Sequence, residues 1–262
     1  MNIGLSSAAF YGRLETEFAA RHLADFPVDC CEIFLETPSE YTRSFGETVA
    51  QQLKHIRCVS VHAKGTQFEP DLFGRSQRQV EDAMDIFAGV CDAGCAMGAK
   101  YYVFHGPPIF HHDMQPGNIH ALTERFGRMK QIAAQRGMEV LWENVSWCTL
   151  RTPEQVEALR LLLPGIRFVL DLKQAFRSDV AWQSLVQTMG GDIRHVHLLD
   201  WDDQGRVCLP GEGVVDWQAV VHELRQAGYN GTLILEPYEH LTRDEAALRR
   251  SLSYLHGLIL GE

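Results

Sequence analysis

The sequence predicts one α/β domain over residues 1–262, an eight-stranded (β/α)8 TIM barrel. Three observations carry that expectation. The length of 262 residues suits a complete β/α barrel, which takes roughly 250 residues. Short apolar runs alternate with amphipathic stretches from end to end, the pattern of parallel strands linked by helices. No G-x-G-x-x-G or G-x-x-x-x-G-K-[ST] turn follows any strand, which disfavours an open, doubly wound sheet.

Taken in order, the strand candidates are Asn2–Ser6, Cys30–Leu35, Cys58–His62 and Tyr101–His105, then Glu139–Glu143, Arg167–Asp171, Ile193–Leu198 and Thr232–Glu236. Each is a short run of apolar residues within the usual strand length. Helical patterns lie between them, such as QRQVEDAMDIFAGVCDAGCAMG before the fourth strand and ALTERFGRMKQIAAQRG before the fifth. Several end in glycine just before the next strand, at Gly98, Gly137 and Gly228. Glycine accepts the left-handed conformation that stops a helix. No Pro/Ser-rich linker or low-complexity segment divides the chain.

The composition is that of a soluble globular protein, 45% hydrophobic and 22% charged. A formal charge of −10 argues against a nucleic-acid partner, which calls for a basic face. The seven cysteines (30, 31, 58, 91, 95, 148 and 208) show no C-x-x-C spacing, so reduced, mostly buried thiols are expected rather than a disulfide framework. The first residues lack a basic start followed by a long apolar run, and no stretch is long enough to span a membrane. A cytoplasmic enzyme without membrane contact is the expectation.

In a β/α barrel the chemistry sits at the C-terminal strand ends. Here six consecutive strands end in His62, His105, Glu143, Asp171, His197 and Glu236. Strand alternation puts Glu143 on the face of Leu141, Asp171 on that of Val169 and Glu236 on that of Ile234. If those apolar residues fill the barrel, the three acids converge at its rim. Converging carboxylates repel unless a cation or raised pKa values relieve them. One polar strand end is ordinarily a turn former or cap; six at equivalent positions mark a functional site. His195 is expected deeper on the face of His197, in a core hydrogen bond or in support of it. Glu32 is placed to support the site from below, and Glu36 to cap the following turn.

These residues resemble the xylose isomerase-like barrel superfamily, in its sugar phosphate isomerase/epimerase branch. The strongest stretch is residues 194–238: the H-x-H-x-x-D, the P-G-E-G turn, a helix ending in G-Y-x-G and a final L-E. HAKG, FHGPP, WEN and LDLKQAF at strands three to six are weaker matches, so the resemblance covers nearly the whole chain. It implies one divalent metal on Glu143, Asp171, His197 and Glu236. Three carboxylates and one imidazole form a hard-oxygen site, which ranks Mn²⁺ first, with Co²⁺, Mg²⁺ or Zn²⁺ as alternatives. The superfamily also holds endonuclease IV-type nucleases with three zinc ions. Their further ligands include a His three residues after the strand-six Asp and an Asp-x-His before G-E-G. Here those places hold Gln174 and Gly205-Arg206-Val207. Gln174 also replaces a substrate-touching His of the epimerases.

The implied chemistry is proton transfer beside a carbonyl, with Glu143 and Glu236 as the catalytic pair. Return of the proton to the opposite face epimerises a sugar or polyol, and return at the adjacent carbon isomerises it. His62, His105, Lys173, Gln174 and Arg206 are expected to bind substrate; for Lys173 an ion pair with Asp171 is the alternative, and for Arg206 a solvated position. His62, His105 and Glu143 would also make a three-ligand set for a second metal. Phe10, Trp142, Trp147 and Phe176 are candidates for pocket walls, with packing of the barrel layers as the alternative. Two other functions compete: a keto-inositol-type dehydratase or lyase on the same metal, and a non-catalytic sugar-binding barrel. Pairing of outer helices would make a homo-oligomer.

Overall fold

A computed structural model describes residues 1–109 and 116–261. The described strands are β1 (Asn2–Ser6), β2 (Cys30–Leu35), β3 (Arg57–Ala63), β4 (Tyr101–Phe104), β5 (Glu139–Glu143), β6 (Arg167–Asp171) and β7 (Ile193–Leu198). A short antiparallel hairpin follows, β8 (Asp200–Trp201) with β9 (Val207–Cys208), and then β10 (Thr232–Leu235). Apart from the hairpin, the strands close one parallel barrel in the order β1-β10-β7-β6-β5-β4-β3-β2. The fold is the expected α/β barrel.

Helices α1 (Thr16–Leu23), α2 (Arg43–Gln52), α3 (Gln77–Met97), α4 (Pro116–Ala134) and α5 (Pro153–Leu162) link the first six strands. Two short helices, α6 (Leu172–Arg177) and α7 (Trp182–Met189), precede β7; α8 (Trp217–Gln226) precedes β10 and α9 (Glu245–Leu260) follows it. Side-chain oxygens cap several of them: Thr42 accepts from the Phe45 N–H, Asp216 from that of Ala219 and Asp244 from that of Ala247. α3 stops at Gly98, whose φ of +82° is the left-handed cap expected there. None of the described helices is long and apolar enough to cross a membrane.

Two strands stop one residue short of the expected limits. After Phe104 and His105 the chain turns at Gly106 with φ +84°, a conformation open to glycine. Beyond Leu235 only the Glu236 N–H still reaches the neighbouring strand, at Leu198 O, and Pro237 has no N–H to continue the ladder. His105 and Glu236 therefore sit just past the strands, at the rim.

Alternation divides the core. Outward residues pack beneath the helices, as where Trp142 lies 5.0 Å from Phe104 and 5.1 Å from Phe126 between ring centroids. Inside the barrel, Val103, Leu141 and Val169 form a separate buried cluster. Leu141 and Val169 are the inward neighbours assigned to Glu143 and Asp171. All seven cysteines are free, and five of them are buried.

Candidate metal centre

Parallel register sets the heights of the polar residues. Asp171 on β6 pairs with His197 on β7, and Ile234 on β10 pairs with the same His197. Oxygens of Glu143, Asp171 and Glu236 and a ring nitrogen of His197 consequently meet within 4.8 Å of one another. His197 Nδ1 lies 2.8 Å from Glu143 Oε1, 3.6 Å from Glu236 Oε2 and 4.0 Å from Asp171 Oδ2. One nitrogen thus faces three carboxylates that arrive from three different strand ends.

Asp171 is held by its surroundings. Its Oδ1 accepts the Gln174 N–H at 2.7 Å, capping α6, which leaves Oδ2 turned toward Lys173 at 3.4 Å. Asn144 fixes the backbone, donating to Asp171 O and accepting from Asp171 N, both at 2.8 Å. Lys173 Nζ also lies 3.4 Å from Glu236 Oε2 and 5.0 Å from the Tyr238 ring centroid. A buried ammonium is costly unless paired; here two carboxylates and an aromatic face pair it.

The charges balance unevenly. Burial pushes the Asp171 carboxyl up to about 6; Lys173 opposes that shift and Glu143 adds to it. Burial also opposes the charges of Glu143 and Glu236, but His197 overrides it and both stay below the ordinary carboxylate range, Glu236 with help from Lys173. His197 is raised despite burial because Glu32, Glu236 and Glu143 surround it. The donors fit a divalent cation: three oxygens and one nitrogen converge, and the second nitrogen of His197 is already engaged by Glu32 at 3.2 Å.

His62 and His105 stand beside this centre. His62 Nδ1 lies 3.3 Å from Glu236 Oε1, and the two Nε2 atoms are 2.8 Å apart. His105 Nε2 is 3.6 Å from Glu143 Oε2. Burial disfavours a charge on His105, but Glu69 outweighs it and raises the ring to about 9. Gln174 lies at the rim, its Oε1 accepting from the Ser146 N–H and hydroxyl at 3.1 and 2.9 Å. Arg206 is not brought to the centre. It is exposed in the hairpin turn and paired with Asp202 at 2.7 Å.

The aromatic expectations divide. Trp147 lies 5.6 Å from the His105 ring, at the rim. Phe10 and Trp142 are corrections: both are fully buried in the outer core and wall no pocket, because they face the helices. Phe176 stacks on Trp201 at 4.4 Å, against the hairpin. Phe34 was missed; it meets His62 at 5.6 Å. Glu36 does not cap its turn. Glu40 does, accepting the Glu36 N–H at 2.6 Å and the Thr16 hydroxyl at 3.0 Å.

Two further acids take on contacts that the sequence does not assign them. Glu69, from the segment after β3, accepts the Tyr102 hydroxyl at 2.6 Å and lies 3.3 Å from His105 Nδ1. Asp200 accepts from the N–H groups of Trp201, Gly211, Gly213 and Val215 and from Trp217 Nε1, and so pins the P-G-E-G turn to the end of β7. Only the H-x-H-x-x-D spacing hinted at Asp200; nothing local marked Glu69.

A closed β/α barrel with polar strand ends defines the class, and comparison places the chain within it. Residues 20–257 match the model of the xylose isomerase-like TIM barrel family, and the chain belongs to that family. The 3-dehydro-D-guloside 4-epimerase of Escherichia coli (strain K12) is 22% identical over 191 residues, 68% of this chain and 69% of that protein. The inosose dehydratase of Glaesserella parasuis serovar 5 is 22% identical over 161 residues, 53% of each chain. The chain thus spans about half the length of the inosose dehydratases it matches.

Among solved structures, the 3-keto-D-glucoside 4-epimerase of E. coli superposes with a TM-score of 0.76 at 17% identity, covering 98% of this chain and 99% of that one. The D-psicose 3-epimerase of Clostridium cellulolyticum H10, solved with D-tagatose, gives 0.79 at 15% identity over 99% of each. The IOLI protein with a bound zinc atom gives 0.72 at 19% identity, covering 100% of this chain and 97% of that one. At these identities the likeness is one of fold.

Proposed function

We propose that this chain is a divalent-metal-dependent isomerase or epimerase of a small sugar, sugar phosphate or polyol. The observation that carries this reading is the placement of Glu143 and Glu236. They come from β5 and β10, separated by two strands of the ring, and converge on one nitrogen of His197. Glu143, Asp171, His197 and Glu236 would hold the ion, with Mn²⁺ the best fit to three carboxylates and one imidazole. When bound, the ion supplies Lewis-acid stabilisation of charge on substrate oxygens.

The chain's own residues move the proton. One of Glu143 and Glu236 removes it from the carbon beside the carbonyl, giving an enediolate, and the other returns it. His62 and His105 bind hydroxyls at the rim, and Lys173 steadies developing negative charge. The described metal-capable clusters all draw on Glu32, His62, His105, Glu143, Asp171, His195, His197 and Glu236, with no hairpin residue. That disfavours the three-zinc arrangement of endonuclease IV-type nucleases; His62, His105 and Glu143 make up one of those clusters.

Family relatives named as epimerases support this reading. Relatives named inosose dehydratases support a second: the same proton abstraction followed by loss of a hydroxyl. The test incubates the Mn²⁺-loaded protein in D₂O with D-psicose, D-tagatose and inosose. Deuterium at the carbon beside the carbonyl supports proton transfer, and a product lighter by one water identifies the dehydratase. No deuterium in any of the three contradicts both.

A further inference from the structure

Glu32, on β2, is wholly buried, yet four groups lie within hydrogen-bonding reach of its carboxylate and His62 Nδ1 stands 4.0 Å from Oε1. Its Oε2 accepts the Ser60 hydroxyl at 2.8 Å and lies 3.2 Å from Nε2 of both His195 and His197. Its Oε1 accepts the Ser6 hydroxyl at 3.5 Å. An isolated carboxylate at this depth would be strongly disfavoured, so its retention depends on these partners. β2 and β7 are not neighbours in the ring, and no backbone ladder joins them. The Glu32–His197 contact therefore crosses the barrel interior.

An imidazole can ligate through Nδ1 only when Nδ1 carries no proton, and a neutral ring then carries its proton on Nε2. We propose that Glu32 is the positioning residue of the centre, holding the His197 Nε2–H so that Nδ1 faces Glu143, Asp171 and Glu236 as a metal ligand. Ser60 and Ser6 orient the Glu32 carboxylate. His195 shares the same oxygen and closes the network from beneath. This inference rests on the metal-centre reading above, and it assigns a role to a residue outside the Glu143, Asp171, His197 and Glu236 quartet.

The test compares the parent with Glu32→Gln by titrating each chelator-treated full chain with Mn²⁺ in a calorimeter. Gln keeps the shape but weakens the acceptor, and Mn²⁺ affinity is expected to fall about 10- to 100-fold. NMR of the Zn²⁺-loaded chains supplies a readout that general loosening would not mimic. The parent should show the His197 proton on Nε2, shifted far downfield, and the variant should show that shift reduced. If Glu32→Gln does not fold, Ser60→Ala removes one donor to the same oxygen and should weaken Mn²⁺ binding about fivefold. Unchanged Mn²⁺ affinity in the folded variant, or a Zn²⁺-loaded parent with its proton on Nδ1, overturns the proposal. A parent that binds no Mn²⁺ defeats the metal-centre reading itself, and this inference with it.

Discussion

The ammonium of Lys173 lies 3.4 Å from Asp171 Oδ2, two residues earlier in the chain, and both side chains are almost fully buried. The same ammonium is 3.4 Å from Glu236 Oε2. Removing it leaves the buried Asp171 and the partly buried Glu236 short of a counter-charge. Lys173→Met should lower the stability of the metal-free chain by about 3–5 kcal/mol, the usual cost of breaking a buried pair. Added Mn²⁺ should then raise the melting temperature of the variant more than that of the parent, because the ion replaces the lost positive charge. Equal increments in the two chains would contradict this.

Protons and cation compete at Asp171. Burial raises its carboxyl to about 6, so in the metal-free chain the protonated form is favoured up to that pH. In linkage terms, the stability this group contributes is fully present below the unfolded value of about 3.9 and is lost as pH rises through about 6. Metal binding has the opposite sign, since the ligand must be deprotonated. The melting-temperature gain from Mn²⁺ should be small at pH 5 and grow as pH rises, first as Asp171 ionises near 6 and further as His197, itself held above the ordinary imidazole range, gives up its proton. A gain independent of pH would argue against Asp171 as a ligand.

Glu143→Gln and Glu236→Gln each remove a carboxylate proposed above to carry the proton. At saturating Mn²⁺, either variant should lose about 10²- to 10⁴-fold in turnover, together with the deuterium exchange that accompanies it. Turnover unchanged while the metal stays bound would end the proton-transfer account.

Asp200 makes a purely structural prediction. Its carboxylate serves four backbone N–H groups and the Trp217 indole. Asp200→Ala leaves those donors without an acceptor and should cost roughly 3 kcal/mol or more in urea unfolding. Asp200→Asn, which keeps one oxygen, should recover part of it.

The barrel was legible because strand alternation and helix-stopping glycines repeat along the chain, and the closed ring follows from them. Six polar strand ends were legible from the residues, the resemblance singled out Glu143, Asp171, His197 and Glu236 among them, and register brings those four together. What stayed hidden depends on contacts between distant segments. Glu69 reaches His105 from an irregular stretch with no periodicity to read. The hairpin has two residues per strand, too few for a pattern, and its Arg206 is taken up by Asp202. Phe10 and Trp142 take the packing alternative, Phe10 against His22 and Phe26 and Trp142 against Phe104 and Phe126, because aromatic identity does not tell a helix-facing side chain from a pocket-facing one.

The most direct test is anomalous scattering from crystals of the full chain soaked in Mn²⁺. The account predicts one peak, with the carboxylates of Glu143, Asp171 and Glu236 and Nδ1 of His197 about 2.0–2.3 Å away. A peak held instead by His62 and His105, or no peak among the strand ends, would contradict it.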